Sequence, residues 1–139
     1  MICCEACVRV CSGVRLMVGR IVVVEDEPEL RGLIEDLLEL EGFDVAGTGH
    51  PAHISDLVRE RRPDLFLIDI MLPEISGIEL AQQLQEQGYT GTPMIAMTAS
   101  CFMSKVASES GIFSDVIDKP FEIDDLLSRV QRYGDCAQP

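Results

Sequence analysis

Apolar residues follow two rhythms along this chain. Some stand in unbroken runs of four, as in Ile21-Val22-Val23-Val24, Leu65-Phe66-Leu67-Ile68 and Met94-Ile95-Ala96-Met97, while others return every three or four positions, as Leu30, Leu33, Ile34, Leu37 and Leu38 do. A short run without alternation is the pattern of a strand buried on both faces, and the longer spacing places its apolar residues on one side of a helix. The pattern predicts strands over 21–24, 43–46, 65–68, 94–97 and 115–118. Between and after them it predicts a helix opened by Pro28 and closed by Gly42, one from about Pro51 to Arg61 with Ile54, Leu57 and Val58 inward, and one from Ile78 to about Gln87. A short, weakly patterned helix falls within 101–110, and a last one carries Ile123, Leu126, Leu127 and Val130 toward a stop at Gly134. Five strand-then-helix units with short connections predict an α/β domain, a parallel sheet with helices on both faces.

The run at 65–68 organises the rest. It ends in Asp69 and breaks at once into Met71-Leu72-Pro73-Glu74-Ile75-Ser76-Gly77, so this carboxylate emerges at the carboxyl rim of the sheet, where open α/β folds bind ligands. The first run ends in Glu25-Asp26-Glu27, the fourth in Thr98-Ala99-Ser100 and the fifth in Asp118-Lys119-Pro120. All of these endings belong to the same rim.

Composition narrows the class. With 139 residues, 47% of them hydrophobic and 25% charged, the chain has room for one compact domain. Twenty-four acids against eleven bases give a formal charge of -13, from which we expect repulsion of nucleic acid and of anionic membranes, hence no nucleic-acid partner and no membrane partner. No apolar stretch approaches the roughly 20 residues that span a bilayer. Four of the six cysteines, Cys3, Cys4, Cys7 and Cys11, crowd the opening segment, and Cys101 and Cys136 stand far apart. That is no disulfide framework, and a cytoplasmic protein is expected. Residues 1–16 differ in character from the rest of the chain and are read as an N-terminal extension, disordered or owed to a misassigned start, ahead of a domain at 17–139; no further domain is expected after Pro139. A soft-metal site on the N-terminal cysteines is the rival reading of that segment.

The rim residues form a complementary set. Carboxylates about 4 Å apart repel by roughly 4 kcal/mol per pair at an effective dielectric near 20, so Glu25, Asp26 and Asp69 call for a cation if they converge. A hard divalent ion such as Mg²⁺ takes carboxylates and a loop carbonyl and keeps positions for phosphate oxygens. Asp69 could then act as a nucleophile toward phosphorus, with Lys119 and the Thr98 hydroxyl each serving a phosphoryl oxygen. Taken singly each residue has a plainer reading: acids at a helix N-terminus, a turn-forming aspartate, an ordinary Lys-Pro turn. The Gly47-x-Gly49-x-x-Ala52 spacing matches a dinucleotide fingerprint but comes after the wrong strand.

Val23-Val24-Glu25-Asp26-Glu27, Leu67-Ile68-Asp69-Ile70-Met71-Leu72-Pro73 with Gly77, Met97-Thr98-Ala99 and Asp118-Lys119-Pro120-Phe121 together resemble the receiver domain of two-component response regulators, over about Gly19 to Arg132. The resemblance implies a flavodoxin-like sheet of order 2-1-3-4-5. It implies a phosphoacceptor at Asp69, served by a sensor histidine kinase or histidine phosphotransfer protein, with Mg²⁺ held by Glu25, Asp26, Asp69 and the Met71 backbone carbonyl. Thr98 and Lys119 would attend the phosphoryl group, and the Lys119–Pro120 bond would be cis. Such a domain is not an enzyme beyond weak self-dephosphorylation; it would be a monomer or weak dimer acting on a downstream protein. Val116 departs from the pattern, because the family usually has Tyr or Phe three positions before the lysine. That departure lends weight to an alternative, a phosphorylation-independent pseudo-receiver adaptor. A metal-dependent phosphatase is a second rival, weakened by Ile70 and Met71 where a second acid would stand.

Overall fold

The structure is a computed structural model that describes residues 19–134. The expectations for residues 1–16, the four N-terminal cysteines and Cys136 fall outside the described residues.

Five parallel strands, β1 (Arg20–Val24), β2 (Asp44–Thr48), β3 (Leu65–Asp69), β4 (Met94–Thr98) and β5 (Asp115–Asp118), pair in the order β2-β1-β3-β4-β5. The flavodoxin-like fold expected from the sequence is therefore the one observed. Its helices are α1 (Pro28–Leu40), α2 (Ile54–Arg61) entered through a 3-10 turn at Pro51–His53, α3 (Gly77–Leu84), α4 (Cys101–Glu109) and α5 (Ile123–Gly134).

Alternate residues of each central strand feed opposite cores. Ile21, Val23, Leu65, Leu67, Ile95 and Met97 pack with Ile34 and Leu38 of α1 and Leu126 and Val130 of α5. Val22, Val24, Phe66, Ile68 and Met94 pack with Ile54 and Val58 of α2 and Leu80, Ala81 and Leu84 of α3. Both faces of β1 and β3 are thus dry, which is why their sequences show no polar alternation.

Two elements differ from the sequence expectation. Strand β2 continues through Gly47 and Thr48, paired with Val23 and Val24, where composition predicts a loop. Helix α3 begins at Gly77, with Ser76 and Glu79 forming a reciprocal cap, and after Leu84 widens into a π turn at Gln85–Tyr89, within which Gly88 takes φ 110°. Among the described residues no helix is long and apolar enough to cross a membrane.

Candidate functional site at the carboxyl rim

Because β1 and β3 are neighbours, the residues at and just past their ends are neighbours too. Val24 pairs with Ile68, so Glu25 and Asp69 leave adjacent strands at the same level. One carboxylate oxygen from each of Glu25, Asp26 and Asp69 lies within 4.8 Å of the others. Glu25 is 1% exposed and Asp69 3%, whereas Asp26 faces solvent. Two carboxylates are therefore sunk in the rim and a third stands at its mouth.

Lys119, from the loop after β5, spans the pair. Its Nζ donates to Glu25 Oε1 at 2.7 Å and to Asp69 Oδ2 at 3.2 Å. Burial pulls this ammonium down, but the hydrogen bond to Glu25 and the charges of Asp69 and Glu25 outweigh it, and the group sits above the ordinary lysine value. The Lys119–Pro120 peptide is cis, and Lys119 N–H donates to the Thr98 carbonyl at 2.8 Å, which ties this loop to the end of β4.

Each acid is also held by backbone. Met71 N–H donates to Asp69 Oδ1 at 3.0 Å, and Glu27 N–H donates to Glu25 Oε2 at 3.2 Å. Gly77 explains how the loop after β3 closes so tightly, since a Cβ there would lie 2.3 Å from the Asp69 carbonyl oxygen. Thr98 is fully buried, and its Oγ1 accepts from Ser100 N–H at 3.1 Å; it ends the strand whose Met97 pairs with Asp69. Glu25, Asp26, Asp69, Met71, Thr98 and Lys119 are all brought to one rim.

Sequence reasoning passed over Arg31. From the first turns of α1 its Nη1 donates to the Glu25 backbone carbonyl at 2.8 Å, over the space that Gly49 leaves open. The readable signal was the pair of glycines, Gly47 within β2 and Gly49 just past its end.

The pocket suits a hard divalent cation. Burial, with the charge of Asp69 acting in the same sense, pushes the Glu25 carboxyl up from 4.5 to about 7 despite the Lys119 hydrogen bond that opposes it. The rise is chiefly the cost of burying the charged form, with Asp69 adding to it. Three carboxylate oxygens at this spacing are the donors that Mg²⁺ prefers over nitrogen or sulfur.

Comparison with known proteins places the sequence and the fold among relatives. A family model described as the response regulator receiver domain matches residues 21–131. The chain is 39% identical over 114 residues to the DNA-binding response regulator MtrA of Mycolicibacterium smegmatis, covering 81% of this chain and 49% of that protein. Among solved structures, the BeF3-activated N-terminal receiver domain of Klebsiella pneumoniae RstA superposes with a TM-score of 0.75 at 31% identity, covering 86% of this chain and 100% of that one. The response regulator TrrA of Thermotoga maritima, solved in complex with Mg²⁺ and BeF, superposes with a TM-score of 0.74 at 28% identity, covering 82% and 97%.

One expectation is corrected. The formal charge of -13 excluded nucleic acid as a partner, yet MtrA is by name a DNA-binding protein. The exclusion fails because net charge governs only contacts made by this segment's own surface, and the chain spans about half the length of the curated relatives it matches.

Proposed function

The chain belongs to the response regulator receiver family, and on that footing we propose that it is a phosphoacceptor module in which Asp69 carries a phosphoryl group received from the phosphohistidine of a sensor kinase or phosphotransfer protein. The observation that carries the reading is the convergence of Glu25, Asp26, Asp69 and Lys119 on one partly enclosed rim. In the transfer an Asp69 carboxylate oxygen bonds to phosphorus as the phosphorus–nitrogen bond breaks, and its electron pair returns to the donor imidazole. Glu25, Asp26, Asp69 and the Met71 carbonyl would hold Mg²⁺, which when bound neutralises charge on the transferred oxygens.

The chain's own residues do the rest. The Met71 N–H fixes the nucleophile's rotamer, and the Lys119 ammonium, already beside Asp69, offers its charge to a phosphoryl oxygen. The Thr98 hydroxyl is one strand away and would turn from Ser100 toward the phosphate. Apart from slow self-dephosphorylation the domain turns over no substrate. Because relatives of about twice the length include a DNA-binding response regulator, the phosphorylated form is proposed to govern a DNA-binding output, in the cytoplasm.

Incubation with Mg²⁺ and a small-molecule phosphodonor, then intact mass measurement, tests this. Wild type should gain one phosphoryl group and Asp69→Asn none. Absence of the gain in wild type would favour a phosphorylation-independent adaptor, and sustained hydrolysis of added phosphoester a phosphatase.

A further inference from the structure

The structure assigns Arg31 as a positioning residue of the acidic pocket, with Gly49 as the gap its guanidinium occupies; the assignment rests on the reading of that pocket as a divalent-cation site. Arg31 makes its one hydrogen bond to the pocket at the Glu25 carbonyl; its charge alone would repel a cation, so a loss of Mg²⁺ affinity on removing it reports the peptide contact and not the charge.

The Glu25–Asp26–Glu27 turn has few supports of its own. Glu25 N–H continues the sheet by donating to the Thr48 carbonyl at 3.1 Å, and both Glu25 carboxylate oxygens are taken, one by Lys119 and one by Glu27 N–H. The Glu25 carbonyl oxygen belongs to the peptide that links Glu25 to Asp26, and its partner is Arg31 Nη1 at 2.8 Å. A charge-assisted bond to that oxygen sets the tilt of the peptide, hence the direction from which the solvent-facing Asp26 carboxylate enters the site. Groups that orient a metal ligand in this way commonly change affinity about 10- to 100-fold when removed.

Gly49 completes the arrangement. A Cβ on residue 49 would lie 2.6 Å from Arg31 Nη1 and 3.3 Å from the Glu25 carbonyl oxygen, hard against the donor end of the hydrogen bond. The nearest atom is the end of a long flexible side chain, so Gly49→Ala displaces the guanidinium first, while the Glu25 carbonyl oxygen needs to yield by no more than a few tenths of an ångström. Two unlike substitutions, Arg31→Met and Gly49→Ala, therefore remove one contact by different routes.

Calorimetric titration of the full chain with Mg²⁺ alone is the test, alongside thermal melts in EDTA and backbone amide NMR of the metal-free protein. Each single variant should weaken Mg²⁺ about tenfold, Arg31→Lys should recover part of the loss, and the double variant should be no worse than either single. In the metal-free state the Asp26 and Glu27 amides should shift while the melt stays near wild type. A Kd for Arg31→Met within about twofold of wild type, losses that multiply in the double variant, or unmoved Asp26 and Glu27 amides would overturn the assignment. Wild type that takes up no Mg²⁺ overturns the reading beneath it, a result distinct from a wild type that binds and an Arg31 variant that binds equally well.

Discussion

The acid rim between β1, β3 and β5 and the flank formed by β4, α4 and β5 lie side by side, yet they are built on opposite principles. At the rim the two buried acids are over-determined: Glu25 is held through its N–H, its carbonyl and both carboxylate oxygens, and Asp69 through both of its own. Among the described residues no buried side-chain nitrogen or oxygen lacks a hydrogen-bond partner. The flank is small and apolar, with Ile70, Ala96 and Ala107 buried and Ile78, Met103, Phe113 and Val116 partly so. Its polar bonds lie at the ends of α4 and along the outer edge, where Arg129 donates to the Val116 carbonyl at 2.9 Å and to Asp115 Oδ1 at 2.8 Å. The pocket gathers acids, a hydroxyl and an ammonium, whereas the flank carries Val116 at the position where the resemblance leads one to expect an aromatic ring.

Removing the cation that unites the pocket should have the largest effect. Lys119→Met keeps the stem and deletes the ammonium, leaving Glu25 and Asp69 buried without their counter-charge. The initial rate of phosphoryl gain, tracked by intact mass, should fall roughly 10²- to 10³-fold, the usual loss on deleting one electrostatic stabiliser. A loss under about fivefold would show that the rim is less dependent on Lys119 than its geometry implies.

Gly77 tests whether the rim's rigidity is steric. In Gly77→Ala the new Cβ would lie 2.3 Å from the Asp69 carbonyl oxygen and 2.8 Å from Ile70 Cα, both backbone atoms that can yield only by moving the end of β3. Urea unfolding should show a loss of about 1–3 kcal/mol or somewhat more. A variant as stable as wild type would mean the loop has slack.

A smaller effect comes from pH. The folded-state value of Glu25, about 7, lies above its unfolded 4.5, so the native state binds this proton more tightly. Its contribution to stability is complete below the unfolded value, declines as pH rises between the two, and is lost above the folded one. In EDTA the melting temperature should therefore drop by a few degrees between about pH 5 and pH 8, and Glu25→Gln should flatten that slope. Mg²⁺ needs the ionised carboxylate, so its stabilising effect should grow across the same range. A metal-free slope of the opposite sign would remove Glu25 as its source.

How much of this was legible depends on which forces a sequence exposes. Central strands announce themselves because Ile21–Val24 and Leu65–Ile68 are dry on both faces, and the rim could be read from them because each run ends in its polar residue. The extent of β2 was hidden because Gly47 and Thr48 carry loop composition; their strand geometry is imposed laterally by β1, and a Cβ at residue 47, or at Gly49 just past the strand, would strike Glu35 or Arg31. Arg31 itself was illegible for a related reason. An arginine on a half-exposed helix face looks like solvated charge until the carbonyl it reaches is placed beside it.

The smallest expected effect sharpens the comparison most. Val116 pairs with Ala96 on the flank side of β5 and is partly exposed, so a larger side chain has room to lie outward without opening the core. Its carbonyl is already fixed by Arg129, and no hydrogen bond joins it to Glu25, Asp69 or Lys119. Val116→Tyr should leave the rate of phosphoryl gain and the Mg²⁺ affinity within about twofold of wild type, since sites without shared partners act nearly independently. What should change is the response of the flank: hydrogen exchange along β5 and α4, compared with and without phosphoryl group, should differ more in the tyrosine variant than in wild type. If instead the substitution alters phosphoryl gain about tenfold, rim and flank are one cooperative unit, and the valine is part of how this pocket reacts.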